Sequence, residues 1–197
     1  FRIPNFFRRV MGEGALAVSF IPRFLELKLT DANKAEILKN TVFTFLFFLS
    51  AVISAFGIVF MENVLRGLLS LSGTREAFSD PHSFSVAVIM FFYVFLVTQF
   101  AYMMAVLNAY KRFAFAGFAP AFFNIGFLLA IFIPDSYVFF SGFQLALGVL
   151  LGGVLQLFIV TFDFYFQFKR PRFNFNFNFK PFKKVLVATL PSVAGIG

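Results

Sequence analysis

The chain has 197 residues, 60% of them hydrophobic and 37 of them phenylalanine, with a mean hydropathy of +0.86. A soluble globular domain is about 45–50% apolar, so this composition excludes one and describes a polytopic membrane protein, whose lipid-facing surface accepts phenylalanine readily. A net charge of +8 would suggest nucleic acid in a soluble protein, and the lack of cysteine excludes disulfides, thiolate catalysis and cysteine-ligated zinc.

The first 22 residues, FRIPNFFRRVMGEGALAVSFIP, set Arg8, Arg9 and Glu13 among apolar neighbours. A charge at mid-bilayer costs about 2.5–3.5 kcal/mol on insertion scales, so ionisable residues there face a bundle interior or a wet cavity. In a continuous helix Arg9 and Glu13 are neighbours at i and i+4. Physics alone leaves two readings open. In one, an arginine faces a cavity and binds an anion, because guanidinium engages phosphate oxygens bidentately and stays charged in a low dielectric. In the other, the arginines anchor a cytoplasmic helix end and Glu13 is a local counter-ion. Gly12 and Gly14 weaken the helix around Glu13 and permit a bend.

Arg23 to Asn40 reads as an exposed polar connection with some amphipathic helix. Thr41 to Met61 is uncharged and, at about 1.5 Å per residue, long enough to cross the hydrocarbon core as a spanning helix. Glu62 to Ser83 is mixed, amphipathic over Val64 to Leu71 and then loop. Phe84 to Tyr110 is a second span, ending against Lys111 and Arg112. Phe113 to Pro134 is a third, interrupted at Pro120, where the missing amide donor predicts a kink. Asp135 to Tyr137 is a tight turn. Phe139 to Phe162 is the fourth span, with Asp163 near the headgroups. Lys169 to Lys184 is basic and contains FNFNFNF at 173–179, whose alternation has the period of a β-strand or an extended interfacial segment. From Val185 a new apolar run begins, broken by Pro191. With Phe1 at its start and an apolar run at its end, the chain is expected to be a fragment truncated at both ends.

Basic residues distribute unevenly over the connections. Arg23, Lys28, Lys34 and Lys39 fall in one, Lys111 and Arg112 in another, and Lys169, Arg170, Arg172, Lys180, Lys183 and Lys184 in a third. The intervening connections hold Arg66 and Arg75, and then none. By the positive-inside rule the first three are cytoplasmic, and Phe1 to Pro22 runs from outside to inside. Orientation thus accounts for most of the net charge, and no nucleic-acid partner is expected.

Gly148, Gly152 and Gly153 form a small-residue face in the fourth span, which favours close helix packing over any ligand role. Gln144, Gln156, Asn108 and Asn124 are intramembrane amides suited to pairing between helices. His82 beside Asp80 lacks a second histidine or cysteine and makes a poor metal site. No nucleophile triad, phosphate-cradling loop or carboxylate pair is present, so neither an enzyme, a metal nor a cofactor is expected.

Three stretches resemble the MurJ (MviN) family of lipid II flippases, within the MOP exporter superfamily. They are RIPNFFRRVMGEGALAVSFIP at 2–22, VLNAYKRFAFAGFAPAFFNI at 106–125 and GGVLQL at 152–157. The resemblance implies an all-α, polytopic transmembrane helical bundle, here a fragment of the N-terminal lobe of a two-lobe fold. Residues 1–184 would hold the second to sixth transmembrane helices and the following cytoplasmic connection, and 185–197 the start of the seventh. It also implies a role in peptidoglycan biosynthesis, cell wall biogenesis and cell shape, with multi-pass residence in the bacterial inner membrane. The implied activity is translocation of undecaprenyl-diphosphate-linked precursor, lipid II, to the outer leaflet by alternating access. Besides lipid II, the implied partners are membrane lipids and cell-wall synthesis proteins. Within the substrate-binding set Arg8, Arg9, Glu13 and Asn5, Arg8 falls on the family's cavity arginine and Glu13 on the acidic residue of the next turn. Met11-Gly12 replaces the family's usual Phe-Ala before that glutamate. The alternative is a superfamily exporter of another lipid-linked oligosaccharide or of small cationic compounds.

Overall fold

The computed structural model describes residues 15–61, 63, 82–134, 138, 142–168 and 171–194. The helices are α1 (Ala15–Thr30), α2 (Ala32–Val59), α3 (Ser83–Ala109), α4 (Ala114–Leu129), α5 (Phe143–Gln167) and α6 (Lys180–Ala194). A 3-10 turn, Ala130–Phe132, extends α4, and no strand occurs among the described residues. Four helices are long and apolar enough to cross a bilayer: Ala32–Val59, Phe84–Ala109, Ala114–Phe132 and Phe143–Phe166. They correspond to the four expected spans. Helix is the expected outcome, because hydrocarbon offers no partner to backbone amides and each must be satisfied within its own segment.

The connection expected between Arg23 and Asn40 is instead mostly helical. α1 continues through Pro22 because Leu16, Phe20, Phe24 and Leu27 recur at helical spacing and are all buried, while Pro22 faces outward. Keeping that face packed outweighs the backbone bond a proline removes, worth about 3 kcal/mol in a helix interior. The chain then turns at a single residue. Asp31 adopts extended backbone (φ −157°, ψ 94°) and its carboxylate accepts the Lys34 amide at 3.1 Å, which caps α2 and starts it at Ala32 rather than Thr41. The Lys34 side chain and amide hold the Asp31 carboxyl below its usual range. α4 likewise stays helical through Pro120.

α5 packs against α4 and α3, α3 against α2, and α1 against α2, α3 and α6. Apolar side chains gain little from leaving lipid for one another, so helix association depends on close van der Waals fit. Glycines supply it. A Cβ on Gly126 of α4 would lie 2.5 Å from the Gly152 amide nitrogen, and one on Gly152 would lie 2.6 Å from the Phe123 carbonyl oxygen. A Cβ on Gly153 would meet the Tyr93 ring at 2.8 Å, so one α5 turn approaches α4 and α3 at once. The small-residue face read from the sequence is therefore a helix-packing face.

Gly152→Val is expected to force α4 and α5 apart and lower stability by about 2–3 kcal/mol, in the range of overpacked cores. Gly117, also in α4, borders open space, with nothing within 4 Å of where a methyl group would sit, so Gly117→Ala should leave stability unchanged or raised. Unfolding midpoints of the full-length protein in detergent check both; a loss with Gly117→Ala equal to that with Gly152→Val would refute the close-approach account.

Candidate functional site

Arg8, Arg9, Glu13 and Asn5 lie outside the described residues. α1 is the described helix that follows them in the chain. One flank of α1 packs through Phe20 and Phe24, stacked at 5.2 Å, with Tyr110 5.6 Å from Phe24. The other meets α6, where the hydroxyls of Ser19 and Thr189 are 2.7 Å apart. Beside that contact a cleft of about 240 Å³ opens between α1 and α6, lined by Ser19, Arg23, Glu26, Lys184 and Val185. Arg23 pairs with Glu26 one turn on, while its buried Nε has no protein acceptor.

Four contacts bring the basic connections to one end of the bundle. Lys28, near the end of α1, sits 3.8 Å from the centroid of the Tyr110 ring at the end of α3. The Tyr102 hydroxyl of α3 donates to the Lys39 carbonyl near the start of α2 at 3.1 Å. The Arg172 amide donates to the Asn40 side-chain oxygen at 3.1 Å. Arg112 donates to both carboxylate oxygens of Asp163, at 3.0 and 3.4 Å, tying the α3–α4 connection to the end of α5. The charge count and the geometry thus agree independently on which connections share a side.

Electrostatics at this end is tightly managed. The Lys39 side chain is 2% exposed and its ammonium pairs with Glu36 at 2.7 Å. Burial, and then the Glu36 carboxylate, push the Tyr110 phenol above its ordinary range, so the ring beneath Lys28 stays neutral. Asp163 is 3% exposed and Arg112 39%. Arg112 reaches it because α3 ends in a Schellman turn: the Lys111 amide bonds the Asn108 carbonyl and the Arg112 amide the Leu107 carbonyl. Lys111 occupies the left-handed position, φ 59°, where glycine is the usual choice.

The sequence reading missed the Arg112–Asp163 pair, although it placed both residues at one membrane face. It also missed Gln99, whose side-chain amide donates to the Ser50 hydroxyl at 3.0 Å and joins α3 to α2. A polar residue inside each of two uncharged runs was the available signal. Of the amides it did name, Gln144 donates to the Ile133 carbonyl at 3.0 Å, Gln156 is buried and Asn124 is exposed. Among the described residues no group of three histidine, cysteine, aspartate or glutamate side chains could hold a metal. At this end cations lie beside apolar helices, with Arg23, Lys39 and Arg112 each paired with a carboxylate and Lys28 seated on the Tyr110 ring.

The family model described as "Lipid II flippase MurJ" matches residues 1–197. The chain belongs to the MurJ lipid II flippase family. A protein of Bdellovibrio bacteriovorus named "Probable lipid II flippase MurJ" is 35% identical over 199 aligned residues, covering 100% of this chain and 38% of that protein. The "Lipid II flippase MurJ" of Burkholderia cenocepacia is 34% identical over 81% of this chain and 31% of its own length. A "Probable lipid II flippase MurJ" of Aquifex aeolicus is 33% identical over 82% of the chain and 31% of its own length. The chain therefore spans about a third of these MurJ relatives. With four apolar helices long enough to span, it is a multi-pass membrane protein.

Arg112→Ala is expected to cost about 2–3 kcal/mol, below the 3–5 kcal/mol of a fully buried pair because the guanidinium is partly exposed. Arg112→Leu combined with Asp163→Leu should recover most of that loss. Lys111→Gly should raise stability by about 1 kcal/mol by relieving the left-handed backbone. Detergent unfolding midpoints measure all three, and a loss with Lys111→Gly would refute the strain account.

Proposed function

We propose that this chain is the N-terminal-lobe part of a flippase that moves lipid II, the undecaprenyl-diphosphate-linked peptidoglycan precursor, from the inner to the outer leaflet of the bacterial cytoplasmic membrane. The observation that carries this reading is the MurJ family match over all 197 residues. The clustering of basic residues at one end supports it, since that end suits the cytoplasmic face where a diphosphate headgroup would load.

The mechanism follows from charge and membrane physics. A diphosphate cannot enter hydrocarbon unaided, so a cation-lined cavity takes the headgroup while the polyprenyl tail remains in lipid. Arg8 engages phosphate oxygens through its guanidinium fork, with Arg9 and Asn5 as neighbouring donors. Glu13, flanked by Gly12 and Gly14, sits at a bendable point where the helix can adjust between inward- and outward-open states. Two lobes rocking about this site change its access. The close-packed α3–α4–α5 unit suits one rigid half of such a motion, because close-packed interfaces switch as bodies rather than deform continuously. No covalent step is needed, so the activity is transport rather than catalysis.

Arg8→Ala in the full-length protein should lower lipid II translocation in vesicles by about 10- to 100-fold, the equivalent of losing a charged hydrogen bond. Arg8→Lys should recover only part of the rate, because an ammonium cannot make the bidentate contact. Full activity in both variants would reduce the arginine to a helix anchor and favour a cationic or different cargo.

A further inference from the structure

The alternating stretch at 173–179 is left unexplained by transport. From Pro171 to Asn176 it has no regular secondary structure and pairs with no strand among the described residues. It is instead laid along α2. The Arg172 amide bonds the Asn40 side chain at 3.1 Å, and the Asn174 amide bonds the Thr44 hydroxyl at 2.7 Å. Phe173 packs its ring 5.4–5.7 Å from Phe43, Phe47 and Phe48, and Phe175 lies 5.7 Å from Phe48. The platform is nevertheless open on its outer side. Phe173 is 54% exposed, Phe175 63% and Phe48 44%.

Neither bulk water nor hydrocarbon accommodates such a surface. Exposed rings in water forfeit about 25 cal/mol per Å² of apolar area. In hydrocarbon, a backbone outside helix and sheet leaves polar groups unsatisfied, and among the described residues the amides of Phe173 and Phe175 have no protein acceptor. The headgroup boundary satisfies both requirements, with rings against the upper acyl chains and backbone and asparagine amides among water and phosphates. The position along α2 agrees, since Asn40 and Thr44 flank the start of its uncharged run. Charge identifies the occupant: Arg172, Lys180 and Lys183 are exposed around the platform, and no acidic residue occurs between Arg170 and Gly197.

We propose that residues 171–183 form an interfacial docking platform for anionic phospholipid, with Phe173 and Phe175 seated at the acyl boundary and Arg172, Lys180 and Lys183 on headgroup phosphates. The occupant is the resident anionic leaflet rather than the transported cargo, so the platform stands or falls independently of the lipid II reading. It fixes the depth at which the basic end rides and holds the start of α6 against α2.

The test uses the full-length protein in phosphatidylcholine vesicles with or without phosphatidylglycerol and free of lipid II. Nitroxide labels at Phe175→Cys and Asn176→Cys, in a background lacking other cysteines, report depth by power saturation with oxygen and a nickel chelate. The label at 175 should favour oxygen and sit just below the phosphates, and the label at 176 should be shallower and favour nickel. Full nickel access at both sites, or exclusion of both reagents because another part of the protein covers the platform, would overturn the proposal. Replacing Arg172, Lys180 and Lys183 together by Gln should lower the preference for retained phosphatidylglycerol over phosphatidylcholine, read by native mass spectrometry, at least tenfold. An unchanged preference would also overturn it. Lys34→Gln, at the same end but off the platform, should leave that preference as it is, and an equal loss there would reduce the effect to net charge.

Discussion

Everything in this bundle depends on how closely two helices can approach when no water is being released between them. In hydrocarbon an apolar side chain gains little by leaving lipid for protein, so dispersion across a tight crossing has to hold the helices together. The Gly126–Gly152 crossing supplies that contact between α4 and α5, and Gly153 brings the Tyr93 ring of α3 onto the same turn of α5. Gly57 plays the corresponding part between α2 and α3, where the Phe91 ring occupies the space a side chain would need. These positions order α2 to α5 into one packed unit, against which α1 and α6 lie.

Polar interactions take over at the basic end. The Arg112–Asp163 pair, the capped Asp31 corner and the Tyr102–Lys39 contact concern the ends and edges of helices, where partial hydration lowers the cost of charge. The larger buried cluster, with Phe20, Phe24, Leu38, Tyr102, Val106 and Phe164, lies beneath these contacts. Rigid packing and fixed charge therefore coincide on one face.

α1 lies against this frame, in contact with α2, α3 and α6. Leu16, Phe20 and Phe24 share one buried cluster with Leu38 of α2 and with Phe182 and Val185 of α6, Phe24 stands 5.6 Å from Tyr110 at the end of α3, and the Ser19 and Thr189 hydroxyls meet beside the cleft.

The sequence by itself determined the class of protein, the four spans and which basic connections share an end, because apolar run length and basic-residue asymmetry are imposed by the bilayer whatever the packing. Its motifs also carried the family, through RIPNFFRR and LNAYKRF. The small-residue face of Gly148, Gly152 and Gly153 was legible as a packing surface, but its partners Phe123, Gly126 and Tyr93 were not, because helical period shows a face and never what lies opposite. Only the tertiary structure decided that α1 runs through Pro22, since burial of Phe20 and Phe24 by neighbouring helices outweighs the local preference to stop. Only it joined Arg112 to Asp163 and Gln99 to Ser50, pairs separated by about fifty positions in the chain. The alternating phenylalanines show the same division: period two predicted a β-strand or an extended interfacial segment, and packing on α2 decided that it would be an irregular strap on a helix.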